Sequence, residues 1–239
     1  MSELLTLSVR DVRVETPRTR IAHLALEGRR LSWRAGQAVL LGSHGQPVRK
    51  PYSIACTPQQ ARQDGALEFL IQVGEDGTAG PHLGRLEPGL FVDVEGPFGS
   101  FVLPADPPER YFLFVAGGTG IAPLRAMLWH ALADLPDRAI SVLQSARAAD
   151  EFAYARELRA LAGEGRIVLK QTATRAAPRW WTGGRGRIAP ADLRSMIRHA
   201  DTRCYVCGPS SLVEDVPRLL RDLGVGDERI VTEQWSETT

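Results

Sequence analysis

Short apolar runs separated by turn residues dominate roughly the first hundred residues. LLTLSVRDV, RIAHLAL, QAVLLGS, PYSIAC, LEFLIQV and FVDVEGP are set apart by breaks that include Gly28, Gly36, Gly45, Pro58 and Gly65. Runs spaced roughly 8–12 residues apart predict the strands of an antiparallel β-barrel. One short helix is expected there, around 81–86. PADPPE (104–109), with three prolines in six residues, is the best linker candidate. Beyond it the pattern changes. YFLFVA (111–116) is the continuous apolar run of a strand buried on both faces. Leu124, Met127, Leu128, Ala131, Leu132 and Leu135 then recur at helical spacing. ISVLQ, RIVLKQ, RCYVC and RIVT read as further strands, with helices over 151–162, 190–198 and 212–223. Pro217 inside the last helix predicts a kink or a shorter helix. This alternation predicts a doubly wound, five-stranded parallel sheet with helices on both faces. The expected architecture is therefore two-domain, a β-barrel over 1–104 and an α/β domain over 109–239.

Composition adds mainly exclusions. The 239 residues are 44% hydrophobic and 24% charged, which marks a folded globular chain. A net charge of +1 gives no general attraction to nucleic acid or anionic membranes, so any anion site must be local. No apolar run approaches the ~20 residues of a membrane span, and the N-terminus does not read as a signal peptide. A cytoplasmic protein is expected. Three cysteines make no disulfide framework and fall short of an iron–sulfur ligand set. No metal site is expected. Of the 29 basic residues only Lys50 and Lys170 are lysine.

Four stretches carry candidate chemistry. In VAGGTGIAPL (115–124), Gly117, Gly118 and Gly120 let the backbone turn sharply and approach a ligand closely. Pro123 suits the first helical position, and the helix N-terminus offers free N–H groups to a pyrophosphate. YVCGPSSLVEDV (205–216) repeats the strand–turn–helix pattern, with Ser211 and Glu214 at capping-box spacing. If the strand order is 3-2-1-4-5, these two loops flank the crevice where such sheets bind ligands. For either loop alone, an ordinary strand–helix turn is the alternative. Cys204 and Cys207 point to opposite faces of one strand, which argues against a redox or metal pair. In RKPYSIAC (49–56), Lys50 and Tyr52 share a strand face. There the ring can stack on a planar group while the cation meets a phosphate, and Ser53 can reach a polar ring edge. A basic edge strand is the alternative. Arg147 and Arg175, just past the second and third strands of the sheet, suit the 2′-phosphate of NADP, although Asp150 and Glu151 oppose it. Solvated surface is the alternative for either arginine alone. No acid–base triad is evident, and the five histidines are assigned structural or surface roles.

Taken together, these residues resemble the ferredoxin–NADP reductase-like flavoproteins over nearly the whole chain. The motifs run in the family's order: GQ ending at Gln37, KPYS (50–53), DGTAGPHL (76–83), EGPFGSF (95–101), GGTGIAP, an arginine after the second sheet strand, CGP, and ERIVTEQW (228–235). The resemblance implies a barrel that binds FAD, or FMN, followed by a pyridine-nucleotide domain that takes NADPH or NADH. It places Tyr52 on the isoalloxazine, Ser53 beside flavin N5 and Lys50 at the flavin phosphates. Ile71, Val73, Gly77, Thr78, Ala79 and Gly80 also belong to the flavin site. Gly118, Thr119, Gly120, Pro123, Cys207, Gly208 and Pro209 belong to the nucleotide site, with Cys207 near the nicotinamide C4. Glu233 and Trp235 close the nicotinamide side. Ser53, Cys207 and Glu233 are the implied catalytic residues. Relatives usually carry Arg in place of Lys50, and often Ser or Thr in place of Gly80. Many also carry a plant-type ferredoxin domain; here the next carrier is expected to be a separate redox protein or small-molecule acceptor. The implied activity is electron transfer from NAD(P)H through the flavin to a ferredoxin-like or haem protein. A non-catalytic flavin- or nucleotide-binding subunit of a larger complex and a reductase of free flavin are the alternatives.

Overall fold

The computed structural model describes residues 3–199 and 201–234. Two units divide the chain: Met1–Leu103 with Arg125–His130, and Pro104–Leu124 with Ala131–Thr239.

In the first unit, β1 (Glu3–Thr16), β2 (Thr19–Ala25), β3 (Ala38–Ser43), β4 (Lys50–Ser53), β5 (Ala66–Gln72) and β6 (Phe91–Phe98) form one antiparallel sheet. Its order is β4-β3-β6-β1-β2-β5. All six strands coincide with the apolar runs. On β1, Leu7 and Val9 are buried while Arg10 is exposed, the inward–outward alternation of a sheet with one face on the core. Register shifts at Val9/Asp11 and Val14/Thr16 bend β1. Beyond β4, Ile54 bridges Phe69 of β5, and the Ala55 N–H donates to the Glu68 carbonyl at 2.8 Å. This joins the two edges of the sheet and closes the barrel around Leu7, Val39, Ile54, Phe69, Ile71 and Val94.

The helix expected at 81–86 is absent. Gly80 (φ +84°) and Gly84 (φ +60°) bracket a single turn, in which the Gly84 N–H bonds the Gly80 carbonyl at 2.7 Å, and the chain leaves it there. The helix between β4 and β5 is α1 (Pro58–Asp64). Thr57 caps it, Gln60 completes a capping box, Pro58 occupies the first turn and Gly65 ends it in the left-handed region.

In the second unit, β7 (Tyr111–Gly117), β8 (Ala139–Ala148), β9 (Val168–Ala176), β10 (Gly184–Arg185), β11 (Arg203–Gly208) and β12 (Ile230–Gln234) form a parallel sheet ordered β10-β9-β8-β7-β11-β12. The predicted 3-2-1-4-5 order is present, but the sheet has six strands rather than five. The two residues of β10 extend its edge; they pair with Thr172 and Ala173 of β9 and are too short to leave a hydrophobic pattern. β7 is buried from Phe112 to Gly117, as a central strand must be.

The helices are α2 (Ile121–Asp134), α3 (Ala155–Gly163), α4 (Pro190–Met196) and α5 (Ser210–Asp222). Pro123 is the third residue of α2 rather than the first, still within the turn whose N–H groups have no partner in the helix. α5 is not shortened by Pro217, which lies inside it. The missing N–H costs one intrahelical bond, while Val216, Pro217 and Leu220 are buried. The Ser211–Glu214 capping box does not form. Pro209 takes the N-cap, and its carbonyl accepts from the Leu212 and Val213 amides at 2.9 and 3.1 Å, so Ser211 is already helical. No helix of the described residues is long and apolar enough to cross a membrane.

Candidate functional site

Each unit carries one cluster of the predicted residues. In the first, β4 is an edge strand with Lys50 opposite Leu41, Tyr52 opposite Val39 and Ser53 opposite Ala38. Lys50 and Tyr52, two apart, share a face, and Lys50, Tyr52 and Ser53 are all half-buried. The Tyr52 hydroxyl lies 2.9 Å from His82 Nε2, and the two rings stack with centroids 5.8 Å apart and planes 23° apart. Burial raises the Tyr52 pKa, so the hydroxyl keeps its proton. His82 is only 4% exposed, and its other nitrogen, Nδ1, is buried with no hydrogen-bond partner among the described residues. An unpaired buried polar atom costs about 1–3 kcal/mol. Burial lowers the His82 pKa, and the Lys50 cation lowers it further.

The sequence left His82 among the structural histidines. The others whose contacts are resolved fit that role: His23 bonds Asp11 and Glu68, His44 bonds Asp93, and His199 bonds Asp201. His82 differs because it touches Tyr52. The one available signal was its place two residues after the glycine turn.

Arg49, the neighbour of Lys50, is committed elsewhere. Its guanidinium reaches Asp93 at 3.3 Å and Glu95 at 3.4 Å. Ile71, Val73 and Ala79 are buried. The loop at Gly77–Gly80 bonds to itself: the Gly77 amide donates to the Gly74 carbonyl, Thr78 to the Asp76 carboxylate and Ala79 to the Gly84 carbonyl. The Thr78 hydroxyl is also held by Asp76. A flat ring, a cation and a hydroxyl on one short strand, beside a buried nitrogen without a partner, suit a ligand with a planar ring system and an anionic tail.

In the second unit the two glycine loops meet at the carboxyl edge of the sheet. Ala116 of β7 pairs with Cys207 of β11, and a Cβ on Gly208 would lie 3.1 Å from the Gly117 Cα. A Cβ on Gly120 would collide with the Cys207 carbonyl. The glycines are therefore required first by the packing of backbone on backbone. Gly118–Gly120 form a single 3₁₀ turn that runs into α2, with Thr119 half-buried and Pro123 in the helix's first turn. A helix N-terminus offers unpaired N–H groups of the kind that can receive an anion. Cys207 and Glu233 are paired neighbours on β11 and β12, and the Cys207 thiol lies 3.9 Å from Glu233 Oε2. Burial, and then the nearby Glu233 charge, hold the thiol pKa well above its usual value. Burial raises the Glu233 carboxyl to about 7. Cys204, also buried, is pushed to about 12 by burial, so neither thiol is a ready nucleophile or metal ligand.

Arg147 and Arg175 lie within the last residues of β8 and β9, adjacent strands, rather than past them. Arg175 is exposed and Arg147 half-buried. Trp235 lies outside the described residues. Among those residues no group of three or more His, Cys, Asp or Glu side chains is placed to hold a metal ion.

Comparison with known proteins agrees with this division. Residues 6–103 match the oxidoreductase FAD-binding domain family, and residues 114–218 the oxidoreductase NAD-binding domain family. The chain is similar to ferredoxin–NADP reductase B of Sorangium cellulosum (strain So ce56), with 33% identity over 221 residues, 87% of this chain and 88% of that protein. It is 29% identical to cytochrome b5 reductase 4 of Danio rerio over 242 residues, 95% of this chain but only 45% of that longer protein. The structure of the CS-b5R domains of human Ncb5or in its NAD+ form is similar with a TM-score of 0.84 and 25% identity, covering 97% of this chain and 70% of that one.

Proposed function

The chain belongs to the ferredoxin–NADP reductase-like family of oxidoreductases that bind FAD and a nicotinamide dinucleotide, and we propose that it passes electrons from NAD(P)H through FAD to a separate one-electron redox protein, of ferredoxin or haem type. The observation that carries this reading is the Cys207–Glu233 pair beside two glycine loops that meet at the carboxyl edge of the parallel sheet. FAD, when bound, would supply the redox chemistry, as a hydride acceptor for the reduced nicotinamide and a one-electron donor to the partner.

The residues of the chain position and protect. Tyr52 offers a flat ring, held in orientation by His82. The Ser53 hydroxyl meets the polar edge of the flavin ring, and Lys50 neutralises phosphate charge. The α2 N-terminus receives the dinucleotide pyrophosphate. Cys207 gives the nicotinamide a small wall that stays protonated, its thiol donating to Glu233. Glu233, with its pKa near neutrality, holds or releases a proton without large cost. Arg147 and Arg175 meet the 2′-phosphate of NADP at the ends of adjacent strands.

An anaerobic absorption spectrum tests the proposal. The purified protein should show bound flavin that bleaches on adding NADPH or NADH and recovers on adding oxidised ferredoxin or a cytochrome. Bound flavin that does not bleach would make the chain a binding subunit. A colourless protein that reduces added flavin would make it a free-flavin reductase.

A further inference from the structure

His82 is gripped on one side and unpaired on the other. Its Nε2 bonds the Tyr52 hydroxyl at 2.9 Å, while its Nδ1 is buried without a partner among the described residues. On the Nδ1 side lies Gly80. Apart from its chain neighbours, a Cβ built on Gly80 would have only the His82 ring within 4 Å, with Nδ1 at 3.5 Å and Cε1 at 3.7 Å. Position 80 thus supplies no side chain, and a methyl group there would touch the imidazole nitrogen. The amides of Gly77, Thr78 and Ala79 all donate within their own loop, so the turn offers none of these three to an anion. Lys50 supplies positive charge from the strand face that also carries Tyr52, close enough to act on His82.

We propose that His82 is a phosphate ligand of the flavin site, its Nδ1–H donating to a flavin phosphate oxygen with Lys50 as the accompanying cation. The proposal rests on the reading of this unit as the FAD site. A phosphate oxygen at Nδ1 selects the tautomer with its proton there. The Tyr52 hydroxyl then donates to Nε2. One neutral imidazole therefore links the residue that seats the ring to the point that holds the phosphate, and no proton changes hands.

The test compares two flavins on the full chain after its flavin has been removed. FAD carries phosphates; riboflavin has the same ring system and none. His82→Gln keeps a polar group near the Nε2 position and loses Nδ1, whereas His82→Asn keeps a donor near Nδ1. His82→Gln should weaken FAD binding by about tenfold, the scale of one hydrogen bond to a charged group, and leave riboflavin binding within about twofold of wild type. His82→Asn should restore most of the FAD affinity. Equal losses for both flavins in His82→Gln, or no loss for either, would overturn the proposal. Imidazole nitrogen NMR of the wild-type protein gives an answer that needs no variant to fold. FAD should shift the His82 Nδ1 resonance and riboflavin should not; the same response to both would refute phosphate contact. A wild-type chain that binds neither flavin would sink the FAD reading itself, and the proposal with it.

Discussion

Cys207 and Glu233 sit opposite each other on adjacent parallel strands, thiol to carboxylate at 3.9 Å, both substantially buried and both with raised pKa values. Glu233 releases its proton at about 7 in the folded chain, against an ordinary 4.5. Between those values the folded state binds more protons than the unfolded one, so stability falls as pH rises through that window. The loss should be on the order of 1–2 kcal/mol after discounting for solvent screening. Thermal unfolding followed against pH should show this slope in the wild type and a flatter one in Glu233→Gln. Identical slopes would mean that Glu233 titrates normally.

Tyr52 separates ring from hydroxyl. Tyr52→Phe should lose about 0.5–1.5 kcal/mol of stability with the His82 bond yet still purify with flavin. Tyr52→Ala removes the stacking surface and should weaken flavin retention by about tenfold or more. The flavin-to-protein absorbance ratio after purification measures both; unchanged flavin content in Tyr52→Ala would remove the stacking role.

Gly120→Ala places a methyl group against the Cys207 carbonyl, with the Gly208 nitrogen 2.8 Å away. Backbone atoms cannot swing aside as a side-chain end can, so the substitution should cost about 1–3 kcal/mol, the scale of overpacking. Calorimetry should show a Tm lowered by several degrees, together with a raised KM for the nicotinamide substrate. An unchanged Tm would contradict the backbone contact.

Replacing Arg147 and Arg175 together by alanine should lower kcat/KM for NADPH by about tenfold or more, the scale of lost charge-assisted bonds, and spare NADH. Steady-state kinetics with both nucleotides decides. Equal losses, or a wild-type enzyme that prefers NADH, would take the 2′-phosphate away from these arginines.

Apart from β10, both sheets were legible in the sequence because most of their strands carry a period-two or continuous apolar run, as LEFLIQ and YFLFVA do. α1 was missed because PQQARQD has only Ala61 on its buried side; its evidence lay in Thr57, Pro58 and Gln60, a capping signal rather than a periodic one. The helix expected at 81–86 failed for a local reason, since glycines at 80 and 84 close the turn. Lys50, Tyr52 and the glycine loops stood out because their residue types are unusual in strands or obligatory in tight turns. His82 did not, because its meaning lies in Tyr52, 30 positions away. The engagement of Arg49 with Asp93 and Glu95 was hidden in the same way.

The close fits of Gly120 against the Cys207 carbonyl and of Gly208 against Gly117 separate ancestry from activity. Because both are set by backbone meeting backbone, a descendant that had lost its nucleotide would still keep these glycines. Glu233 carries the opposite message: a half-buried carboxyl is a burden to folding above neutral pH, and drift would discard it once its chemistry was no longer used. In a set of diverged sequences, the glycines would mark the lineage, and a retained acid beside the thiol would mark the members still at work.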